Sequence, residues 1–155
     1  MEGINYRVFI SGHRDLSKEE FDTIYVSPLN RYIDWLNLDQ SSFFSSKKLV
    51  FYVGDCEGCD SMAIDYIVNN ILPNNPNAYL NICTCDFDFD GKCLYNFENP
   101  NISIISGFKS HEERDKYMTI ETHVDLLYIR PDKWDSGTAQ NFVRRVWLPQ
   151  DQKKF

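Results

Sequence analysis

The chain has 155 residues, of which 43% are hydrophobic and 25% charged, the composition of an ordinary soluble globular domain. That length predicts one domain, over residues 1–155, with an adequate core. The formal net charge is −7. Such an acidic chain repels nucleic acid and anionic lipid, so neither is an expected partner.

Three features of the sequence predict the cellular compartment. No apolar run approaches the roughly 18–20 residues of a membrane helix. The first residues are acidic and polar, unlike a signal peptide. The five cysteines are an odd number, which is not typical of a secreted disulfide framework. We therefore expect a cytoplasmic protein.

The first part of the chain predicts a strand over residues 6–10, followed by a polar loop and a helix. Ser17 and Glu20 have the spacing of a capping box, which indicates a helix start. Pro28 disfavours an uninterrupted helix, so a restart is predicted with Ser27 as N-cap and Pro28 in the first helical position.

Strands and helices then alternate along the rest of the chain. Further strands are predicted at residues 49–53, 78–83, 102–105 and 124–129. Helices are predicted at 60–71, which ends before Pro73, at 111–123, and at 138–147. Ser110 and Glu113 have the spacing of a second capping box at the start of the helix at 111–123. The apolar residues expected to face inward on the last helix are Ala139, Phe142, Val143 and Val146. Alternation of this kind predicts a three-layer α/β/α Rossmann-like domain with a mainly parallel five-stranded sheet.

Three loops at strand ends share a glycine-containing, polar composition. They are Ser11-Gly12-His13-Arg14-Asp15, Gly54-Asp55-Cys56-Glu57-Gly58, and Asp135-Ser136-Gly137-Thr138. Glycine lets the backbone approach a ligand closely. A helix N-terminus beyond the loop offers unpaired N–H groups and partial positive charge, which suit a phosphate. Together the loops predict one crevice that binds a phosphorylated small molecule.

Four segments resemble the SLOG superfamily, which groups the Lonely-Guy phosphoribohydrolases with the DNA-processing DprA proteins and small nucleotide-binding domains. They are Ser11-Gly12-His13-Arg14-Asp15-Leu16, Gly54-x-x-x-Gly58-x-Asp60-x-x-Ala63, Arg114-Asp115-x-x-Met118 and Ser136-Gly137-Thr138-Ala139. The resemblance extends from Tyr6 to Arg145. It implies a Rossmann-like fold and a nucleotide-derived ligand, with its phosphate at the Ser-Gly-Thr loop.

The resulting function prediction is a domain that binds a nucleoside phosphate or a nucleotide-derived signalling molecule at the carboxyl ends of the strands. The predicted ligand-binding residues are Ser11, Gly12, Arg14, Gly54, Gly58, Asp60, Arg114, Ser136, Gly137 and Thr138. The alternative is an N-glycosidic hydrolase acting on nucleoside monophosphates, with Glu57 and Asp60 as catalytic candidates. Against it, the Pro-Gly-Gly and the following Glu of the phosphoribohydrolases are absent here. Single-stranded DNA binding is disfavoured by the charge, and dimerisation is compatible with the fold.

Several of these residues have simpler structural roles as alternatives. Ser136 and Asp60 can be helix N-caps. Arg14 can pair with Asp15, and Arg114 can bind either a ligand or a carboxylate. His13 could serve in acid–base chemistry, although a histidine bonded to the backbone is favoured.

Two patterns raise the question of metal binding. Cys56-x-x-Cys59, Cys83-x-Cys85 and Cys93 could in principle hold zinc, but small buried thiols are favoured. Asp86-Phe87-Asp88-Phe89-Asp90-Gly91 copies half of an EF-hand loop, with Phe97 where a bidentate Glu is needed. No cofactor or metal is predicted.

Overall fold

The structure, a computed structural model, describes residues 3–38, 46–85 and 98–148. Within these ranges five parallel strands form one sheet in the order β4-β3-β2-β1-β5. The strands are β1 (Ile4–Ile10), β2 (Lys47–Gly54), β3 (Ala78–Cys85), β4 (Ile102–Phe108) and β5 (Val124–Leu126). The predicted Rossmann-like α/β class is confirmed. The EF-hand-like segment and Cys93 lie outside the described residues.

The described residues contain five α-helices, of which the last follows the final strand. They are α1 (Lys18–Ile24), α2 (Val26–Asn37), α3 (Cys59–Tyr66), α4 (His111–Glu121) and α5 (Gly137–Val146). After α3 the chain continues through a π-helical turn, Ile67–Ile71, and a 3-10 turn, Leu72–Asn74. The helical path therefore passes Pro73, where the sequence predicted a stop, because a proline early in a short 3-10 turn removes no required hydrogen bond.

Local capping signals in the sequence correspond to helix starts in the structure. The Ser17–Glu20 capping box is formed in both directions at the start of α1. Ser110 caps α4 by accepting from the Glu113 N–H, while the Glu113 carboxylate accepts from the Lys109 N–H. Serine hydroxyls therefore satisfy orphan N–H groups at both helix starts.

The break between α1 and α2 lies earlier than predicted. It falls at Tyr25, which is the C-cap of α1 and precedes the first residue of α2. Ser27 is thus not the N-cap, and Pro28 sits within the first turn of α2. Proline is tolerated there because the first N–H groups of a helix have no intrahelical partner. The fully buried Tyr25 fixes the position of the break.

Helices cover both faces of the sheet, which gives three layers. Val8, Ile10 and their counterparts on β2 and β3 form one core with α1, α2 and α3. On the opposite face, Phe9 and Tyr52 pack with Met118 of α4 in a smaller second core. Alternation of side chains along each strand explains why neighbours such as Val8 and Phe9 enter different cores.

The predicted inward face of α5 is wrong. Ala139 is buried, but Phe142, Val143 and Val146 are 40%, 47% and 51% exposed. The face of α5 that meets the rest of the protein is instead polar. It carries Arg145, whose guanidinium donates to the Thr122 carbonyl and hydroxyl and pairs with Asp125 at 2.8 Å. The tertiary ion pair, rather than apolar burial, sets the rotation of this helix.

Candidate functional site

The candidate site lies where the order of strands reverses direction. The chain proceeds from β1 through β2 and β3 to β4 at one edge, and then α4 returns it to β5 on the other side of β1. In open α/β sheets, ligands bind in the crevice beyond the strand carboxyl ends at such a switch point. A cavity of about 360 Å³ occupies this position. It is called the crevice below.

Most of the predicted site residues line this crevice. They are Ser11, Gly12, Arg14, Gly54, Asp60, Arg114, Ser136, Gly137 and Thr138. Two predicted residues are not part of its lining. Gly58 lies behind the wall, and Glu57 is exposed. Trp134, next to the third loop, does not line the crevice either, because it is 59% exposed and contacts Phe142.

The loop after β1 forms one wall of the crevice and is tied to the loop after β5. The Tyr25 hydroxyl donates to the Ser11 carbonyl at 2.8 Å and accepts from the Tyr128 N–H at 3.0 Å. The Ser11 N–H donates to the Leu126 carbonyl. One buried phenol therefore fixes the relative position of the two loops that flank the switch point.

His13 adds a second tie between these loops. Its Nε2 accepts from the Arg130 N–H at 3.0 Å, and its side chain is buried. Burial, assisted by the charge of Arg130, lowers the pKa of His13 below its ordinary value. The neutral ring therefore accepts a hydrogen bond from the backbone. This is the role that the sequence analysis favoured for His13.

Arg130 itself anchors the loop after β5 to the start of α1. Its guanidinium pairs with Asp15 at 2.6 Å and with Glu20 at 2.7 Å. The bonds from Arg130 and from the Ser17 N–H lower the pKa of Glu20 to about 2. Asp15 is therefore paired with Arg130, and not with Arg14 as the simpler alternative proposed.

The central loop packs closely against its neighbours, and its glycines provide the room. Gly58 has a φ of +77°, and a Cβ there would overlap the carbonyl group of Arg14. A Cβ on Gly12 would lie 2.6 Å from the Tyr25 hydroxyl and equally close to the Cys59 Cβ. These two glycines thus hold the first and central loops against each other.

Gly54 gives space to a cluster of buried charges. A Cβ there would lie 2.8 Å from the Asp60 carboxylate and 3.0 Å from the guanidinium carbon of Arg114. Arg114, only 4% exposed, pairs with Asp55 at 2.9 Å and Asp115 at 3.1 Å. Its positive charge is therefore largely balanced by carboxylates, although its side chain also lines the crevice.

Asp60 is a buried carboxyl group in the crevice wall. Its Oδ2 accepts from the Cys56 N–H at 3.2 Å. Burial raises the pKa of Asp60 to about 7, while Arg114 and the Cys56 N–H oppose the rise. Near neutral pH this group is therefore divided between carboxylate and carboxylic acid.

The N-terminus of α5 closes the crevice from the side of β5. Ser136 is the N-cap, and its hydroxyl accepts from the Ala139 N–H at 3.2 Å. The capping role of Ser136 is compatible with a ligand, because other N–H groups of the first turn have no helical acceptor. Gly137 is exposed and Thr138 is buried in this turn.

Among the described residues, two cations in the crevice have no carboxylate partner, and one hydroxyl there has no hydrogen-bond partner. Arg14 contacts His111 Nδ1 at 3.3 Å but forms no ion pair within the described ranges. Lys133 likewise has no carboxylate partner among the described residues. The Ser11 hydroxyl is buried and has no hydrogen-bond partner in the described protein. A buried hydroxyl normally has a partner, so its position in a cavity wall indicates a place for a ligand.

Other polar residues, which the sequence did not predict as site residues, also line the crevice. Cys56, His111 and Lys133 bring a thiol, an imidazole and an ammonium group to it, and Asn141 of α5 is also present. The Ser110 cap located the helix start that carries His111, but only the strand order shows that this helix begins at the crevice. Cys56 was interpreted as one of a set of small buried thiols.

Comparison with family models, curated proteins and solved structures finds no match. The resemblance to the SLOG superfamily therefore stays a prediction from the residues quoted above. In residues 3–38, 46–85 and 98–148, no group of three or more His, Cys, Asp or Glu side chains is arranged to hold a metal ion. No described helix is long and apolar enough to cross a bilayer.

Proposed function

We propose that the crevice binds a nucleoside phosphate or a nucleotide-derived signalling molecule. The observation that carries the proposal is the meeting of three features in one cavity. They are the first turn of α5, two cations that have no carboxylate partner among the described residues, and the buried Ser11 hydroxyl, which has no hydrogen-bond partner among them. The cavity volume of about 360 Å³ lies at the lower end of the range for small-molecule pockets.

The phosphate of this ligand would lie at the start of α5. N–H groups of Gly137 and Thr138 belong to the first turn, where the helix dipole favours an anion. Arg14 and Lys133, which line the same crevice, would balance its charge, and Arg14 can make a bidentate contact. Ser11 would supply a hydrogen bond. Asp60 is the proposed contact of the ribose hydroxyls.

Ligand-dependent thermal stability tests this proposal. The purified protein is heated with nucleoside mono-, di- and triphosphates, NAD or ADP-ribose. A ligand at 100 times its Kd should stabilise the folded state by about 2.7 kcal/mol. We expect Arg14→Gln to abolish the shift, and Arg31→Gln, on the exposed surface of α2, to retain it. Absence of a shift for every compound would refute nucleotide binding.

N-glycosidic hydrolysis is the second candidate, and the raised pKa of Asp60 favours it. A carboxyl group with a pKa of about 7 can donate a proton to a departing base at neutral pH. Mass spectrometry of the reaction with nucleoside monophosphates would detect free base. Asp60→Asn should abolish the release of base, and Glu57→Gln, outside the crevice, should not. No base released by the wild type would exclude this activity.

Homodimerisation and a cytoplasmic location are also proposed. Phe142, Val143, Val146 and the 79% exposed Trp147 form an apolar surface on α5, and a two-fold axis would pair it with itself. Light scattering should show a dimer for the wild type and a monomer for Val146→Glu. Cys56, Cys59 and Cys83 are free thiols, which suits a reducing compartment.

A further inference from the structure

A thiol and an imidazole lie side by side in the crevice wall. The Sγ of Cys56 is 3.6 Å from Nδ1 of His111. Cys56 lies just beyond the end of β2, and His111 is the first residue of α4, so 55 positions separate them in the chain. Both side chains line the same cavity. This pair had no role in the ligand contacts proposed above.

The contacts of His111 define which of its atoms can accept a proton. Arg14 Nη2 lies 3.3 Å from the same Nδ1. A guanidinium can only donate, so a hydrogen bond between these two groups requires the lone pair of Nδ1. The Sγ of Cys56 faces the same Nδ1, so the Sγ–H can donate to it when Arg14 moves away. His111 Nδ1 is placed to take the thiol proton.

Arg114 places positive charge beside the same sulfur. Its Nη2 and Nη1 atoms lie 3.7 Å and 3.8 Å from Sγ. Burial nevertheless raises the pKa of Cys56, with Asp60 adding to the rise and Arg114 and Arg14 opposing it. The resting group is thus the thiol, which is a weak nucleophile. It needs a neighbouring base when it reacts, and it has a cation that stabilises the thiolate as it forms.

A ligand site adjoins this pair. The buried Ser11 hydroxyl, without a partner in the described protein, lines the same cavity, as does the first turn of α5. Arg14 links the two parts, because it lines the crevice and also contacts His111. An anion that draws Arg14 towards itself would leave the His111 lone pair to the thiol. The identity of that anion as a phosphate rests on the proposed function.

We propose that Cys56 is a nucleophile and His111 its general base, acting on a phosphorylated aldehyde or ketone whose phosphate lies at α5. The Sγ–H proton passes to His111 Nδ1 as Sγ bonds to the carbonyl carbon. The carbonyl π electrons move to oxygen, which then takes the proton from the imidazolium. The product is a hemithioacetal or hemithioketal, formed by addition without a leaving group or a change in total oxidation state. Open-chain sugar phosphates belong to this substrate class.

Alkylation of the native protein tests the reactivity of the thiol. Iodoacetamide and iodoacetate are applied at pH 7, and the adduct is located by peptide mass spectrometry. General-base assistance typically contributes about 10²–10⁴-fold to a rate. We expect His111→Gln to slow the alkylation of Cys56 by about tenfold or more. Glu112→Gln, one position along α4 and exposed, is the matched control and should react as the wild type does.

Two further readouts separate a chemical role of His111 from a structural one. Free imidazole should restore the alkylation rate of His111→Gly, because a diffusible base replaces the missing one. The anionic iodoacetate should react faster than iodoacetamide in the wild type, the reverse of the preference of a free thiol, since Arg14 and Lys133 line the crevice and have no carboxylate partner among the described residues. Arg14→Gln should lose that reversal, and inorganic phosphate should protect Cys56 in the wild type.

The substrate class is tested with a matched pair of compounds. Glyceraldehyde 3-phosphate carries a carbonyl group, and glycerol 3-phosphate has the same phosphate without one. We expect the aldehyde to protect Cys56 from iodoacetamide at a concentration at least about tenfold lower, since only it can bond to Sγ. Equal protection by the two compounds would overturn the proposed substrate class.

Two results would refute the proposal that Cys56 is a nucleophile activated by His111. One is a Cys56 that alkylates no faster in the folded protein than in the urea-unfolded chain. The other is a rate unchanged by His111→Gln. Neither depends on nucleotide binding, which is measured separately by thermal stability. A reactive Cys56 in a protein that no nucleotide stabilises would refute the proposed nucleotide function and leave this inference intact.

Discussion

Three glycines of this chain allow the cost of backbone strain to be measured separately from the cost of a steric clash. Gly58 has a φ of +77°, and a Cβ there would overlap the backbone of Arg14. Gly107, in β4, has a φ of +101° with no atom within 4 Å of an added Cβ. Gly137 has neither constraint. Alanine at each position therefore samples a different combination of the two effects.

The expected changes in the free energy of unfolding follow from these surroundings. Gly137→Ala should stabilise by up to about 1 kcal/mol, because alanine restricts the unfolded chain and favours a helix. Gly107→Ala should destabilise by about 1–3 kcal/mol through the strained φ alone. Gly58→Ala adds an overpacking cost of about 1–3 kcal/mol, since the atoms it meets belong to the backbone. The total is roughly 2–6 kcal/mol.

Urea unfolding followed by circular dichroism measures all three variants against the wild type. The comparison holds where the dependence on urea has the same slope, so that only the stability differs. The predicted order of stability is Gly137→Ala, wild type, Gly107→Ala and Gly58→Ala. A Gly58→Ala protein no less stable than Gly107→Ala would show that the loop after β1 moves away freely, and would refute the close packing of the two loops.

Three other predictions concern charged groups. The folded-state pKa of Asp60 is raised to about 7 from an ordinary value of 3.8, so the folded protein binds the proton more tightly than the unfolded chain does. The free energy of unfolding should therefore fall as pH rises between these two values. In urea titrations, Asp60→Asn should lack this decrease. The pKa of Glu20 is lowered from 4.5 to about 2, so its stabilisation is complete above pH 4.5 and is lost as pH falls towards 2; Arg130→Gln should remove this acid dependence. Arg145→Met should lower the free energy of unfolding by about 3–5 kcal/mol, because it leaves the buried Asp125 carboxylate without its partner. If that is the cause, the double variant with Asp125→Leu should lose less.

Local features of the chain predicted the fold class correctly. The β-rich runs, the Ser17 and Ser110 caps, and the alternation of elements each depend on residues close in sequence. The glycine loops at strand ends were also correctly expected to meet, since the carboxyl ends of parallel strands lie at one edge of the sheet. Nine of the residues predicted for the site consequently line one cavity.

The functions of individual site residues were less predictable. Gly54 suggested a close approach of backbone to ligand, whereas in the structure it makes room for Asp60 and Arg114. Glu57, in the same loop, is exposed and does not line the crevice. A loop sequence indicates that close packing occurs, but it does not specify which side chain fills the space.

The sequence by itself determined the alternation of strands and helices, the caps and the three polar loops, because these follow from local propensity and the period of apolar residues. Only the tertiary structure decided the break at Tyr25, the outward face of Phe142 and the contact between Cys56 and His111. These features arise between residues that are distant in the chain, where buried hydrogen bonds and ion pairs outweigh the preferences of single segments. The connection from β4 through α4 to β5 brings His111 beside Cys56 in the crevice.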